Sequence, residues 1–166
     1  MKLKEKYISI NSREALCLFA FSSVLICRPY SKRFSSFKDK KVIPIEPCKV
    51  RELCDKNGRI RIEYSCGFSR DYSLYSIDTI NKKKHQIAKE ISKTIPRFRC
   101  VVSNVYHKNV EEITGQEALR MGFGIELRNE TEEEIEQSAL KSFFSNYRNA
   151  ISDNVFSIIE LKVIKE

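Results

Sequence analysis

The sequence predicts an α+β fold, a small and mainly antiparallel β-barrel with helices packed on it. Residues 59–68, "RIRIEYSCGF", alternate between apolar and polar side chains, which is typical of a half-buried strand. Residues 114–123 and 131–147 each begin with a threonine followed three positions later by a glutamate, the capping-box signal for a helix start. Residues 154–165, "NVFSIIELKVIK", predict a final apolar strand. Because strand-like segments outnumber helical ones, we expect the helices to cover a sheet.

The longest apolar run, "ALCLFAFSSVLIC" at residues 15–27, could belong to a membrane segment, a secretion signal or a buried core. It is shorter than the roughly 20 residues that a membrane-spanning helix needs. A secretion signal fits less well, because Glu5 and Glu14 interrupt the polar start and no small-x-small cleavage site follows, but it stays an open alternative. We therefore expect a core segment, a cytoplasmic protein and no membrane partner.

Three elements are predicted for the beginning of the chain. "KYISI" predicts a strand, "SREALCLFAF" a helix and "VLIC" a second strand, with Ser22 and Ser23 breaking the helix. Asn11 or Ser12 can cap the helix, since their side-chain oxygens accept hydrogen bonds from its first turn. The helix is apolar nearly all round, so we expect it to be buried rather than amphipathic.

The middle of the chain predicts a hairpin, a helix and a further strand. "PCKVREL" is expected to pair with the alternating strand through a turn at Asn57 and Gly58. "HQIAKEIS" has helical character, and "RFRCVVSNVYH" predicts a strand with Pro96 at its start, where a missing amide does least harm.

Length and cysteine usage predict one cytoplasmic domain over residues 1–166, with an exposed basic loop at about 31–41 and an insertion at about 69–94 that is hard to assign. The six cysteines lie mostly in apolar or alternating segments, so we expect reduced, buried thiols. There is no Cys-x-x-Cys pair, and His85 and His107 are not spaced to complete a zinc site. We therefore predict no metal and no cofactor.

The charge is divided unevenly along the chain, whose net charge is +8. Residues 1–110 hold 24 Lys and Arg against 10 Asp and Glu, whereas residues 111–166 hold 6 against 12. A basic front with an acidic end favours a surface that contacts polyanions, although a basic chain can also simply be soluble.

Basic residues interleaved with aromatic ones are the candidate contacts to nucleic acid, since cations neutralise phosphates and rings stack on bases. They form a cluster at "RPYSKRF", a pair in "PRFRC" and a run in "KKKH". Each cluster taken alone could equally be a solvated face. The predicted binding residues are Arg28, Tyr30, Lys32, Arg33, Lys82, Lys83, Lys84, Arg97 and Arg99.

Residues 95–166 contain a series of short motifs in a recognisable order. They are Pro96-Arg97-Phe98, Ile113-Thr114 with Ala118 and Gly122, then "LKSFFSNY", then "NVFSIIELKVI". This order and spacing resemble the phage-borne branch of the ASCH domains, members of the PUA-like superfamily. The resemblance implies a small β-barrel with packed helices, a cleft beside the first helix, and binding of RNA or modified bases.

One related group in that superfamily hydrolyses acetylated cytidine with a lysine, a threonine and a glutamate after the first helix. The family's glycine-x-lysine-x-x-glutamate-x-arginine pattern would fall on residues 21–28, where only Arg28 matches. Phe21, Ser23 and Ile26 stand where the glycine, lysine and glutamate belong. Since amide hydrolysis needs an activated nucleophile and an acid-base group, we expect no catalysis.

The sequence therefore predicts a non-catalytic module, of phage type, that binds RNA or single-stranded nucleic acid. An alternative is an interaction or inhibitor protein that targets a host nucleic-acid-binding machine, with its acidic segment "ETEEEIEQ" imitating phosphate charge. A degenerate amidohydrolase acting on modified cytidine is the third alternative. Salt distinguishes the first two, because direct nucleic-acid binding weakens steeply with ionic strength.

Overall fold

The computed structural model describes residues 6–53, 59–65, 68–72, 84–94, 96–124, 131–147 and 155–165. Its strands are β1 (Lys6–Ser9), β2 (Ser23–Pro29), β3 (Lys41–Ile45), β4 (Cys48–Glu52), β5 (Ile60–Tyr64), β6 (Ser69–Tyr72), β7 (Cys100–Asn109) and β8 (Val155–Val163). Its α-helices are α1 (Ser12–Phe21), α2 (Lys84–Thr94), α3 (Gly115–Arg120) and α4 (Glu132–Asn146), and short 3₁₀ helices cover Lys32–Phe37 and Val110–Glu112. The predicted turn at Asn57-Gly58 and the predicted contacts Lys82 and Lys83 lie outside the described residues.

The strands form two sheets, which confirms the α+β class. The larger sheet has the order β1-β3-β7-β8-β2, in which β1 and β3 run parallel and the other neighbours antiparallel. The smaller sheet, β4-β5-β6, is antiparallel and contains the predicted β4–β5 pairing. The strand pairings of the described residues do not join the two sheets into one closed barrel, so the barrel stays a prediction.

The apolar run at residues 15–27 is explained by its position in the core. Val24 and Ile26 on one face of β2 pack with α1, whereas Leu25 and Cys27 on the other face pack with α3 and α4. A strand that is buried on both faces needs a continuous apolar sequence. The predicted succession of helix, turn and strand is therefore confirmed, with Ser22 in the left-handed conformation at the turn (φ 58°).

Helix α1 begins as predicted but is not buried on all sides. The Asn11 side chain accepts a hydrogen bond from the Glu14 amide at 2.8 Å, and the Glu14 carboxylate accepts one from the Asn11 amide at 2.9 Å. Leu16, Phe19 and Phe21, however, are 42%, 60% and 62% exposed. The expectation of full burial was wrong because the helix packs one side against a face of the sheet and leaves these three side chains exposed to solvent.

The smaller sheet packs on α2. Ile60, Ile62 and Tyr64 are buried and pack with Ile87 and Ile91 of the helix, which confirms the side of β5 predicted from its alternation. Strand β6 and helix α2 also give structure to parts of the 69–94 insertion.

The segment predicted as an exposed basic loop at about 31–41 has more structure than expected. Residues Lys32–Phe37 form a 3₁₀ helix capped by Ser31, and Phe34 is buried in the core, whereas Lys32 and Arg33 are exposed. The buried Phe34 ring anchors this segment on the larger sheet, while the neighbouring cations stay exposed. The segment is therefore not the loop that the sequence predicted.

Of the two capping boxes predicted near the C-terminus, the first is complete and the second has only the bond to the threonine side chain. Thr114 and Glu117 form a complete capping box before α3, and the Thr131 side chain accepts a hydrogen bond from the Glu134 amide before α4. Gly122, at the predicted end of the first of these helices, has a φ of +99°.

The four cysteines within the described residues are free thiols. Burial raises the pKa of Cys17 to about 11 and the pKa values of Cys27 and Cys100 to about 12, so these thiols stay protonated at neutral pH. Cys54 and Cys66 lie outside the described part of the chain.

The described residues contain neither a helix suited to cross a membrane nor a cluster suited to hold a metal ion. No helix there has both the length and the apolar character to cross a bilayer. In the same part of the chain, no group of three or more histidine, cysteine or acidic side chains is arranged to hold a metal ion.

Candidate nucleic-acid interface

A row of polar side chains crosses the larger sheet near one of its ends. Arg28 on β2 is in register with Ser157 on β8, and Ser157 is in register with His107 on β7. Paired residues of neighbouring strands project to the same face of a sheet. The three side chains therefore lie on the face that also packs against α1 and the 3₁₀ helix.

His107 joins the 3₁₀ segment to the sheet. Its Nδ1 lies 3.0 Å from the hydroxyl of the fully buried Ser157, and its Nε2 lies 3.3 Å from the hydroxyl of Ser35. Ser157 Oγ also accepts a hydrogen bond from the Ser31 amide at 3.2 Å. Because the buried Ser157 hydroxyl already accepts that bond, its own hydrogen is best donated to Nδ1, which favours the tautomer that donates from Nε2 to Ser35.

An exposed ring and two exposed cations lie beside this histidine. The Tyr30 ring contacts the His107 ring edge to face, with centroids 4.8 Å apart, and Tyr30 is 47% exposed. Lys32 and Arg33 follow on the 3₁₀ helix with exposed side chains, and within the described residues neither is paired with a carboxylate. We call the exposed group Tyr30, Lys32, Arg33, Ser35 and His107 the Tyr30–His107 surface.

Arg28, which was predicted to contact nucleic acid, is held by partners inside the protein. Its Nη1 donates to Glu14 Oε2 at 2.8 Å and to the Cys27 carbonyl at 2.9 Å. Its Nη2 donates to Glu14 Oε1 at 2.7 Å and to the Ser9 carbonyl at 2.8 Å. All four terminal N–H groups are thus used, so we assign Arg28 the role of positioning the row rather than contacting a ligand.

Glu14 is fully buried, and Arg28 Nη2 lies 2.7 Å from its Oε1. Burial by itself lowers the pKa of Arg28, but the hydrogen bonds and the charge of Glu14 more than offset this and raise the pKa. The pair holds the first turn of α1 against β2, and Arg28 also donates to the last residue of β1, so it links the two edge strands of the larger sheet.

Arg97, the second main candidate, lies at the opposite end of β7. Its Nε donates to Glu46 Oε2 at 3.1 Å and its Nη2 bonds Glu46 Oε1, and the two side chains are only 8% and 2% exposed. The guanidinium carbon lies 4.7–5.8 Å from the ring centroids of Phe19, Tyr64, Phe68 and Phe98. Arg97 therefore bridges α1, β5 and the start of β7 inside the protein.

The predicted basic residues are thus separated rather than combined. Arg97 and Arg99 precede β7, which begins only at Cys100, and Arg99 is exposed with partners of its own. His107 is seven residues along the strand from Cys100, or about 23 Å at the usual rise per residue. Lys84 begins α2, and nothing is described of its side chain.

A neighbouring polar cluster on the other face of β7 serves to attach α3. The Glu117 carboxylate accepts hydrogen bonds from the Tyr106 hydroxyl at 2.5 Å, from Lys108 Nζ at 2.7 Å and from the Thr114 amide at 3.0 Å. Burial would raise the pKa of Glu117, but these donors outweigh burial and lower it. Its acceptors are occupied, so the cluster is structural.

Three members of the site were missed by sequence reasoning. The spacing of His107 only excluded it from a zinc site, and neither Ser35 nor Ser157 was predicted to be a site residue. Their approach depends on the register of β2, β8 and β7 and on the docking of the 3₁₀ helix, which are long-range features.

Comparison with known proteins gives no relative for this arrangement: no family model, no curated protein and no solved structure matches the chain.

Proposed function

We propose that the protein is a non-catalytic module that binds RNA or other single-stranded nucleic acid at the Tyr30–His107 surface. The observation that supports this most directly is the exposed Tyr30 ring, held against His107 beside exposed Lys32 and Arg33. Stacking of a base on an aromatic side chain contributes about 1–3 kcal/mol per base. The two cations would neutralise neighbouring phosphates and release their counterions.

Features of the surface favour a single strand over a duplex. An exposed ring can stack only on a base that is not already paired and stacked within a helix. Ser35 and His107 add hydrogen-bonding groups beside the ring. The excess of Lys and Arg in residues 1–110 and the resemblance to ASCH domains, whose superfamily binds RNA, agree with this proposal.

Binding is preferred to hydrolysis for two reasons. The favoured His107 tautomer donates to the Ser35 hydroxyl, whereas a nucleophilic serine needs a base that accepts its proton. In addition, Ile26 replaces the glutamate of the related amidohydrolases and is fully buried in the core. A carboxylate at that position would not face a cleft.

The proposal is tested by fluorescence anisotropy with a labelled single-stranded RNA, its DNA equivalent and its duplex, at low and physiological salt. We expect the single strands to bind more tightly than the duplex, with affinity falling as salt rises. Tyr30→Ala should weaken binding about tenfold, because one stacking contact is lost. Phe144→Ala, another exposed aromatic residue on α4, is the matched control and should bind like the wild type. Equal binding by both variants and the wild type would contradict the proposal.

A second candidate function is contact with a partner protein, and the exposed apolar side of α1 favours it. Leu16, Phe19 and Phe21 are all exposed on this helix, although large apolar side chains usually avoid water. The acidic start of α4 supports it less, because Glu132, Glu133 and Glu134 suit the positive end of their own helix. This function predicts no binding of nucleic acid in the anisotropy assay and loss of a co-purifying protein in a Phe21→Ser variant.

A further inference from the structure

A second basic site lies in an open groove between the start of α1 and the C-terminal half of α4. The groove has a volume of about 580 Å³ and shares no residue with the Tyr30–His107 surface. It is lined by Arg13, Phe123, Lys141, Ser142, Ser145 and Asn146. None of these lining residues is acidic, so among the described residues Arg13 and Lys141 line the groove without a carboxylate beside them in its wall.

Arg13 is held in a fixed position at this groove. Its Nε donates to the Met121 carbonyl at 3.0 Å, and its guanidinium carbon lies 3.9 Å from the centroid of the Phe123 ring. Gly122 makes this approach possible, because a Cβ at that position would come within 2.6 Å of Arg13 Cγ. The side chain is therefore ordered before any ligand arrives, which reduces the entropy lost on binding.

The other groups of the wall can complete an anion site. Lys141 is exposed on α4, and within the described residues it is not paired with a carboxylate. The hydroxyls of Ser142 and Ser145 and the amide of Asn146 can donate hydrogen bonds to oxygen atoms. Arginine binds phosphate through two parallel N–H groups, and lysine adds a mobile point charge.

We propose that this groove binds a small phosphate-bearing ligand of mononucleotide size, with Arg13 and Lys141 holding the phosphate. The volume lies within the range of about 300–1,000 Å³ that is usual for small-molecule sites. Two sources share this chemistry, a free nucleotide and the terminal phosphate of a nucleic-acid strand. The site is independent of the proposed function of the Tyr30–His107 surface, since the two share no side chain.

The test is isothermal titration of the full chain with AMP, inorganic phosphate and adenosine. We expect saturable binding of AMP, weaker binding of phosphate and none of adenosine, because the phosphate supplies the charge. Lys141→Ala should weaken AMP binding about tenfold through loss of a charge-assisted hydrogen bond. Lys89→Ala is the matched control, an exposed lysine on α2 away from the groove, and should leave binding unchanged.

Two further variants and a comparison of two strands show which contacts hold the phosphate and where the phosphate comes from. Arg13→Lys keeps the charge but removes the two-pronged contact and should also weaken AMP binding, while Tyr30→Ala should not affect it. A short strand with a 5′-phosphate that binds more tightly than its 5′-hydroxyl form, with the difference lost in Lys141→Ala, identifies the strand terminus as the source. AMP binding without such a difference identifies a free nucleotide. Absence of saturable binding by AMP and phosphate, or equal affinities for Lys141→Ala and Lys89→Ala, would overturn the proposal.

Discussion

The two ends of β7 show opposite uses of the same kind of side chain. At the start of the strand, Arg97 is buried between four aromatic rings and bonded to Glu46. Near its end, Lys32 and Arg33 lie exposed beside Tyr30 and His107. Both regions combine cations with aromatic rings, so composition alone does not distinguish them. The difference is whether the fold brings a buried carboxylate to the cation, because a cation bonded in this way is held inside the protein and is not offered to a ligand.

The largest expected effect is a loss of stability when the buried Glu46–Arg97 pair near the start of β7 is broken. Glu46→Ala leaves the Arg97 charge buried without its carboxylate, and loss of one partner of a buried pair lowers the free energy of unfolding by about 3–5 kcal/mol. Urea denaturation measures this. Glu63→Ala is the control, because it removes the exposed pair with Arg51, and surface pairs contribute only about 0–1 kcal/mol. Equal losses for the two variants would remove the contrast between the ends of β7.

Arg28 is partly exposed, and its substitution tests whether it holds the fold together, as Arg97 does, or contacts the ligand, as proposed for Arg33. Its guanidinium is bonded to the fully buried Glu14, so Arg28→Ala should lower the free energy of unfolding by about 3 kcal/mol. The affinity of the remaining folded protein for RNA should stay within about twofold, since no ligand contact is lost. The measurements are urea denaturation and anisotropy on the same preparation, with Arg33→Ala as the control that should show the reverse pattern. Unchanged stability with a large loss of affinity would place Arg28 in the interface instead.

These arginines also show which parts of the molecule the sequence could predict. Alternation predicted the buried side of β5, and the Asn11, Thr114 and Thr131 caps were visible because capping acts within one turn. The partner of Arg28 is 14 residues away and that of Arg97 is 51 residues away, so neither pair follows from local spacing.

The candidate interface was predictable to a similar extent. Tyr30, Lys32 and Arg33 were predicted because they are neighbours in the chain, whereas His107 joined them only through the register of three strands. The exposed side of α1 was missed for a related reason. A helix that is apolar all round does not reveal which side a sheet will cover.

The exposed cations provide the direct test of the interface. Replacing both Lys32 and Arg33 by alanine should reduce RNA affinity about tenfold and lower the slope of log affinity against log salt by about 1 to 1.5, because two phosphate contacts are lost. Stability should change by less than about 0.5 kcal/mol, as is usual for surface substitutions. The double variant Lys49→Ala/Lys89→Ala removes the same charge from exposed positions elsewhere and serves as the control. Equal salt slopes for the two double variants would show that only net charge matters.

The smallest expected effect is a difference in pH dependence between two glutamates. Burial raises the pKa of Glu46 despite Arg97, whereas the hydrogen-bond donors around Glu117 overcome burial and lower its pKa. When the pKa is lower in the folded state, the unfolded chain takes up the proton first, so the stabilisation by Glu117 is present above pH 4.5 and is lost as the pH falls below it.

For Glu46 the sign is reversed. The folded state takes up the proton first, so its contribution to stability grows as the pH falls through the region just above 4.5. Urea denaturation of Glu117→Gln, Glu46→Gln and the wild type between about pH 3 and pH 7 measures how the free energy of unfolding changes with pH in each protein. Glu117→Gln should lose less stability on acidification than the wild type, and Glu46→Gln should lose more. If both variants follow the wild-type curve, then the two carboxylates titrate alike in the folded and unfolded chain, and the contrast between a buried pair and a donor-rich cluster does not extend to protonation.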